Sequence, residues 1–168
     1  IGEAHWPETH LIPRIILPLI DAPFDLLKAM DLNKGFTIYG GDYPTPDGTA
    51  IRDYIHVMDL VDAHIRALKY LFKGGSTDIL NLGSGRGFSV KEIVGEMRQA
   101  LSRRSFTPAQ GPRRDGDPAV LVASNERAEK ILGWKPTRNL KDIILDASLW
   151  HRSPLYQNAM RAKLGILK

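Results

Sequence analysis

Turn signals built from glycine, proline and aspartate cut this chain into alternating strand-like and helix-like pieces, the pattern of an α/β or α+β fold. Residues 11–32 have helical spacing interrupted at Pro18 and Pro23. Each proline removes a backbone donor and clashes with the preceding turn, so two short helices are expected. Residues 36–39 read as a short strand, and Pro44-Thr45-Pro46-Asp47-Gly48 carries the Pro-Asp-Gly order that presets a tight turn, on which a functional loop could sit. Residues 51–57 read as a second strand, followed by a helix over 58–72 with Leu60, Val61, Ile65, Leu68, Leu71 and Phe72 in a broad apolar stripe. A third strand at 79–82 runs into Gly83-Ser84-Gly85-Arg86-Gly87. The next helix starts at Ser89, which with Glu92 has the spacing of a capping box. Beyond an arginine-rich loop at 108–116, a strand at 120–123 leads to a helix closed by Gly133, and a last helix covers 140–151. From Ser153 onward the pattern weakens, and this tail is expected to fray.

The chain has 168 residues, 43% of them hydrophobic and 25% charged, which is one domain's worth of chain with enough apolar material for a core. This excludes a disordered tail and a collagen-like repeat. The absence of cysteine excludes a disulfide scaffold, thiolate catalysis and thiolate metal sites, and suits a reducing cytosol, so a cytoplasmic location is expected. No run of about 18 apolar residues exists. The richest stretch, 11–30, is interrupted by Pro13, Arg14, Pro18, Asp21, Pro23 and Asp25, so no membrane partner is expected. The net charge of +4 arises from 23 basic and 19 acidic side chains that are interleaved, with no stripe of basic and aromatic residues, so nucleic acid is not expected either. The chain opens Ile-Gly-Glu-Ala-His, without an initiator Met or a signal-peptide pattern, and reads as an excerpt of something longer.

Three places have residue types suited to chemistry. The loop from Gly83 to Gly87 lies between a strand and a helix, where backbone amides can bind an anion, but its glycines do not have the Gly-x-Gly-x-x-Gly spacing; a phosphate cradle and a plain connection both remain open. The loop Pro112-Arg113-Arg114-Asp115-Gly116-Asp117 sets two guanidinium groups beside two carboxylates. It suits bidentate phosphate and sugar-hydroxyl recognition, or an internal ion pair on a solvated turn. Arg52-Asp53-Tyr54 is a second such place. The five histidines, among them His5 and His56, show no helical zinc spacing, and His56 reads as a hydrogen-bonded core residue within its strand.

A series of segments then resembles the C-terminal half of the UDP-glucose 4-epimerases, which are extended short-chain dehydrogenases/reductases. They are Gly2-Glu3, Thr9-His10-Leu11-Ile12-Pro13, the run from Asp42 to Thr49 leading into Arg52-Asp53-Tyr54-Ile55-His56-Val57, then Asp59-Leu60, Asp62-Ala63-His64, Asn81-Leu82-Gly83-Ser84-Gly85, Phe88-Ser89-Val90, Pro112-Arg113-Arg114, Gly116-Asp117-Pro118 and Leu132-Gly133-Trp134. The resemblance implies an α/β fold, specifically the C-terminal substrate-binding lobe, with the N-terminal Rossmann lobe absent. Residues 1–168 would be the UDP-sugar-binding portion, the strand and helix of 51–73 would join the missing nucleotide-binding lobe, and 153–168 would be a weakly patterned tail. The implied reaction interconverts UDP-glucose and UDP-galactose through transient oxidation at sugar C4. NAD would be bound by the missing lobe and the intact parent would be a homodimer.

Carried over position by position, Arg114 and Arg52 would contact the phosphates, with Tyr54 beside Arg52, and Asp117 the ribose hydroxyls. Val90 would lie near the uracil or ribose, Leu11 near the nucleotide and Tyr39 over the uracil. The family's Tyr-x-x-x-Lys pair and Gly-x-x-Gly-x-x-Gly loop have no match in these 168 residues, so the chain alone is expected to be inactive. The stretch 16–34 is longer and richer in proline than the family's usual helix and turn. Leu121 stands where some epimerases have a bulky Tyr, and a smaller residue there would leave room for an N-acetyl sugar. A UDP-N-acetylglucosamine or UDP-arabinose 4-epimerase, and a non-catalytic nucleotide-sugar binding module, are the alternative readings.

Overall fold

A computed structural model describes residues 10–20, 22–30 and 35–166. Of the sequence features above, Gly2-Glu3, His5, Thr9, Asp21 and residues 31–34 lie outside these.

The proline-spaced stretch forms two helices, α1 (Leu11–Leu19) and α2 (Phe24–Ala29). Pro23 occupies the N-cap of α2, and Pro18 is tolerated in the last turn of α1. Ile15, Ile16 and Leu17 of α1 are fully buried in the main core. Strand β1 (Thr37–Tyr39) pairs in parallel with β4 (Ala109–Gly111), while β2 (Ile51–Asp53) lies between β3 (Gly87–Ser89), antiparallel, and β5 (Val120–Leu121), parallel. Helices α3 (Val57–Phe72), α4 (Val90–Ala100), α5 (Glu126–Leu132), α6 (Leu140–Arg152) and α7 (Pro154–Lys163) complete the chain. Sides of α1, α4, α6 and α7 meet in one apolar cluster that includes Ile93, Met97, Ile144, Tyr156 and Met160. Among the described residues no helix is long and apolar enough to cross a membrane, and no group of His, Cys, Asp and Glu could hold a metal ion.

The capping box at Ser89 forms: its hydroxyl accepts the Glu92 amide at 3.0 Å and Glu92 accepts the Ser89 amide at 2.7 Å. The Pro-Asp-Gly turn fastens to the same helix start. Asp47 accepts from the Thr49 amide, the Thr49 hydroxyl and the Ser89 hydroxyl, and Lys91 Nζ donates to the Asp47 carbonyl. This turn is thus a clasp between β2 and α4. Gly133 ends α5 in the left-handed region at φ 59°, where a Cβ would be strained.

Four expectations change. The strand expected over 51–57 ends at Asp53, because His56 turns to cap α3, its Nδ1 accepting the Met58 amide at 3.1 Å. His56 is nonetheless a buried, hydrogen-bonded residue, with Nε2 3.0 Å from Asp146 Oδ2. The extended segment 79–82 is in no sheet: Leu80 and Leu82 pack against Ala63, Ala128 and Trp134, but among the described residues no strand lies alongside to complete its hydrogen bonds. Strands β3 and β4 arise where loops were expected. The tail expected to fray forms α7, with Ser153 as N-cap, Pro154 at its first position and Tyr156 and Met160 fully buried.

Asp59, in the first turn of α3, is buried and ties that helix to the chain beyond Trp134. Its carboxylate accepts from Thr137 Oγ1 (2.9 Å), the Thr137 and Arg138 amides (3.2 and 3.0 Å) and Arg138 Nη1 (2.8 Å). Trp134 Nε1 donates to the Asp59 carbonyl at 2.9 Å.

Candidate functional site

Where β1, β2 and the first turns of α1 and α4 converge, they leave a cavity of about 210 Å³. Leu11 and Arg14 reach it from α1, Tyr39 from β1, Arg52 from β2, Tyr54 from just beyond β2, Val90 from the first turn of α4, and Arg114 and Asp117 from the loop after β4. Seven of the eight residues singled out from sequence therefore share one cavity, although they are spread from position 11 to position 117.

The pairing of the strands explains the convergence. Tyr39 is in register with Gly111, so the loop leaving β4 starts beside the tyrosine ring and brings the Arg114 guanidinium over it at 4.3 Å. The loop then turns, with the Asp117 amide donating to the Arg114 carbonyl at 3.3 Å, and Asp117 faces Arg52. Arg52 Nη2 donates to Asp117 Oδ1 and Nη1 to the Ile51 carbonyl at 2.6 Å. Burial pushes the Tyr54 phenol up to about 12, an effect the Arg52 charge only partly offsets, so this ring stays neutral across the physiological range.

The two arginines of the loop separate. Arg113 turns away from the cavity: Nε donates to Asp42 Oδ1 at 2.7 Å, Nη2 donates to the Asp42 carbonyl, and its guanidinium lies 4.4 Å from the centre of the Tyr43 ring. For Arg113 the internal ion pair is what forms. Arg114 instead lines the cavity.

Leu121 is not brought there. It pairs with Arg52 across β2 and β5, is 61% exposed and lies outside the cavity. Conversely Arg14, Phe36, Thr37, Ile38 and Ala50 line the cavity without having been singled out. Arg14 was within reach of sequence reasoning, because it stands three residues after Leu11 and so shares its helix face. A wider apolar hollow of about 830 Å³ adjoins this site, with Leu11 and Tyr54 lining both.

The glycine loop does not act as an anion cradle. Asp53 fills that space: Oδ1 accepts the Ser84 amide and hydroxyl (2.9 and 2.5 Å), Oδ2 accepts the Ala123 amide (3.2 Å), and a Cβ on Gly83 would come within 2.3 Å of Asp53 Oδ2. The glycine makes room for a carboxylate of the protein's own.

The chain matches the family model described as GDP-mannose 4,6 dehydratase over residues 25–147. It is 48% identical over 151 residues to a UDP-glucose 4-epimerase of Rhizobium leguminosarum bv. trifolii, covering 90% of this chain and 43% of that protein. A crystal structure of a UDP-glucose 4-epimerase superposes with a TM-score of 0.81 and 47% identity, covering 92% of this chain and 44% of the other. The UDP-glucose 4-epimerase of Bifidobacterium longum in complex with NAD+ and UDP superposes with a TM-score of 0.68 and 32% identity, covering 88% and 41%. The chain thus spans less than half the length of the relatives it matches. It belongs to the family described as GDP-mannose 4,6 dehydratase, and its α/β fold is that of the C-terminal portion of UDP-glucose 4-epimerases.

Proposed function

We propose that this chain is the substrate-binding portion of a UDP-glucose/UDP-galactose 4-epimerase. The observation that carries the reading is the convergence of Leu11, Tyr39, Arg52, Tyr54, Val90, Arg114 and Asp117 on one cavity. Arg52 and Arg114 neutralise the diphosphate, which is costly to bury without cations. Asp117 accepts the ribose hydroxyls, and Tyr39 supplies an aromatic face for the uracil. Tyr54 and Leu11 form the wall through which the site continues into the larger hollow. Leu121 lines neither hollow, and a side chain smaller than Tyr at that position would leave partial room for an N-acetyl group.

In the intact parent a homodimeric enzyme would oxidise and re-reduce the sugar at C4 with NAD held by an N-terminal nucleotide-binding lobe, which the strand and helix of residues 51–73 would join. The exposed apolar face of α3 supports this placement. These 168 residues would bind the nucleotide without turning the sugar over.

Titration calorimetry of the chain tests the reading. Measurable UDP binding, lost on Arg114→Ala, and negligible NAD binding are expected. Tight NAD binding, or UDP binding indifferent to Arg114, would overturn it.

A further inference from the structure

The cations assigned to a diphosphate are already engaged by the protein. Arg52 donates to the Asp117 carboxylate, with the two side chains 22% and 33% exposed, and Arg114 lies on the Tyr39 ring. Both partners of the Arg52–Asp117 pair line the cavity, so an anion arriving at Arg52 meets an occupied guanidinium and a carboxylate beside it.

We propose that Asp117 is a specificity gate, whose ion pair with Arg52 keeps the cavity closed to free phosphate and pyrophosphate and yields to a nucleoside diphosphate. This deepens the nucleotide-sugar reading and rests on it. The difference lies in what becomes of the carboxylate. When a bare diphosphate takes Arg52, Asp117 loses its cation and acquires a neighbouring anion. When a nucleoside diphosphate takes Arg52, the ribose hydroxyls replace the lost bonds, and the carboxylate and the guanidinium are both satisfied. The pair is partly solvated and therefore modest in strength, so the right ligand can open it; discrimination comes from the like charge left behind by the wrong one. Arg114 is held by the Tyr39 ring, and among the described residues no carboxylate competes for it.

Calorimetry with inorganic pyrophosphate and with UDP separates the two ideas. In Asp117→Asn and in Asp117→Ala, with folding checked by circular dichroism, pyrophosphate binding is expected to tighten about tenfold. UDP binding should not tighten, and the gain for pyrophosphate should vanish when Arg52→Ala is added. Pyrophosphate binding that is unchanged or weaker in both variants, or a gain that survives the loss of Arg52, would overturn the gate. If the unsubstituted chain fails to bind UDP at all, it is the nucleotide-sugar reading that falls. The two failures are therefore distinct.

Discussion

Arg113 and Arg114 are adjacent in sequence yet differ in role, because the loop after β1 presents the Asp42 carboxylate to one and Tyr39 of β1 presents its ring, beside the cavity, to the other. Spacing alone could not separate them; the register of β1 against β4 does. Asp59 shows the same limit from another side. Its place at a helix start was legible, but its partners at Thr137 and Arg138 lie some 80 positions away. Burial works to raise the Asp59 pKa, yet bonds from the Arg138 and Thr137 amides, the Thr137 hydroxyl and the Arg138 guanidinium outweigh it and hold the carboxyl below its usual 3.8. Because the folded-state value is depressed, the stabilisation is complete above the unfolded value near pH 4 and disappears as pH falls through the folded one. Asp59→Ala leaves two amides and a guanidinium without their acceptor and should cost about 3 kcal/mol at pH 7. Urea unfolding at pH 7 and again at pH 3 should show the deficit shrinking in acid; a constant deficit would contradict the assignment.

Helices with their own start and stop signals were the most legible elements. The capping box at Ser89 and the glycine stop at Gly133 lie in the sequence and recur in the structure. Elements defined by a neighbour were not legible. The strand expected at 79–82 has the right alternation, Leu80 and Leu82 inward and Ile79 86% exposed, but lacks a partner among the described residues. Strands β3 and β4, three residues each, exist because β2 and β1 lie beside them. Helix α7 owes its order to tertiary packing: Tyr156 and Met160 sit four positions apart in the main core, and Arg161 pairs with Asp25 of α2 at 2.9 Å. Two anchors in ten residues are too few for a periodic signal. Met160→Ala should therefore destabilise the whole fold by about 3 kcal/mol, read as a lower urea midpoint with unchanged slope. Loss of only the α7 signal, with the remainder unfolding at its original midpoint, would show that α7 is not part of the cooperative unit.

At the scale of the molecule, the apolar stripe of α3 is the feature whose meaning depends on what surrounds it. Its spacing predicts burial, yet only Asp59 and Ala63 of α3 are buried, while Leu68 is 55% and Phe72 87% exposed. Packed against α5 on one side, the helix presents Ile65, Leu68, Leu71 and Phe72 outward. A contiguous apolar face of this kind marks a contact surface. On the proposed reading that contact is the nucleotide-binding lobe, so these side chains contribute little to the stability of the 168 residues and much to their tendency to associate. The double substitution Leu68→Glu, Phe72→Glu should therefore leave the urea midpoint within about 0.5 kcal/mol of the original while reducing self-association in sedimentation velocity. UDP binding should be unchanged, since neither residue lines the cavity. A large loss of stability would mean that the stripe is held by this chain's own core, and the surface would then have no claim to a covering lobe.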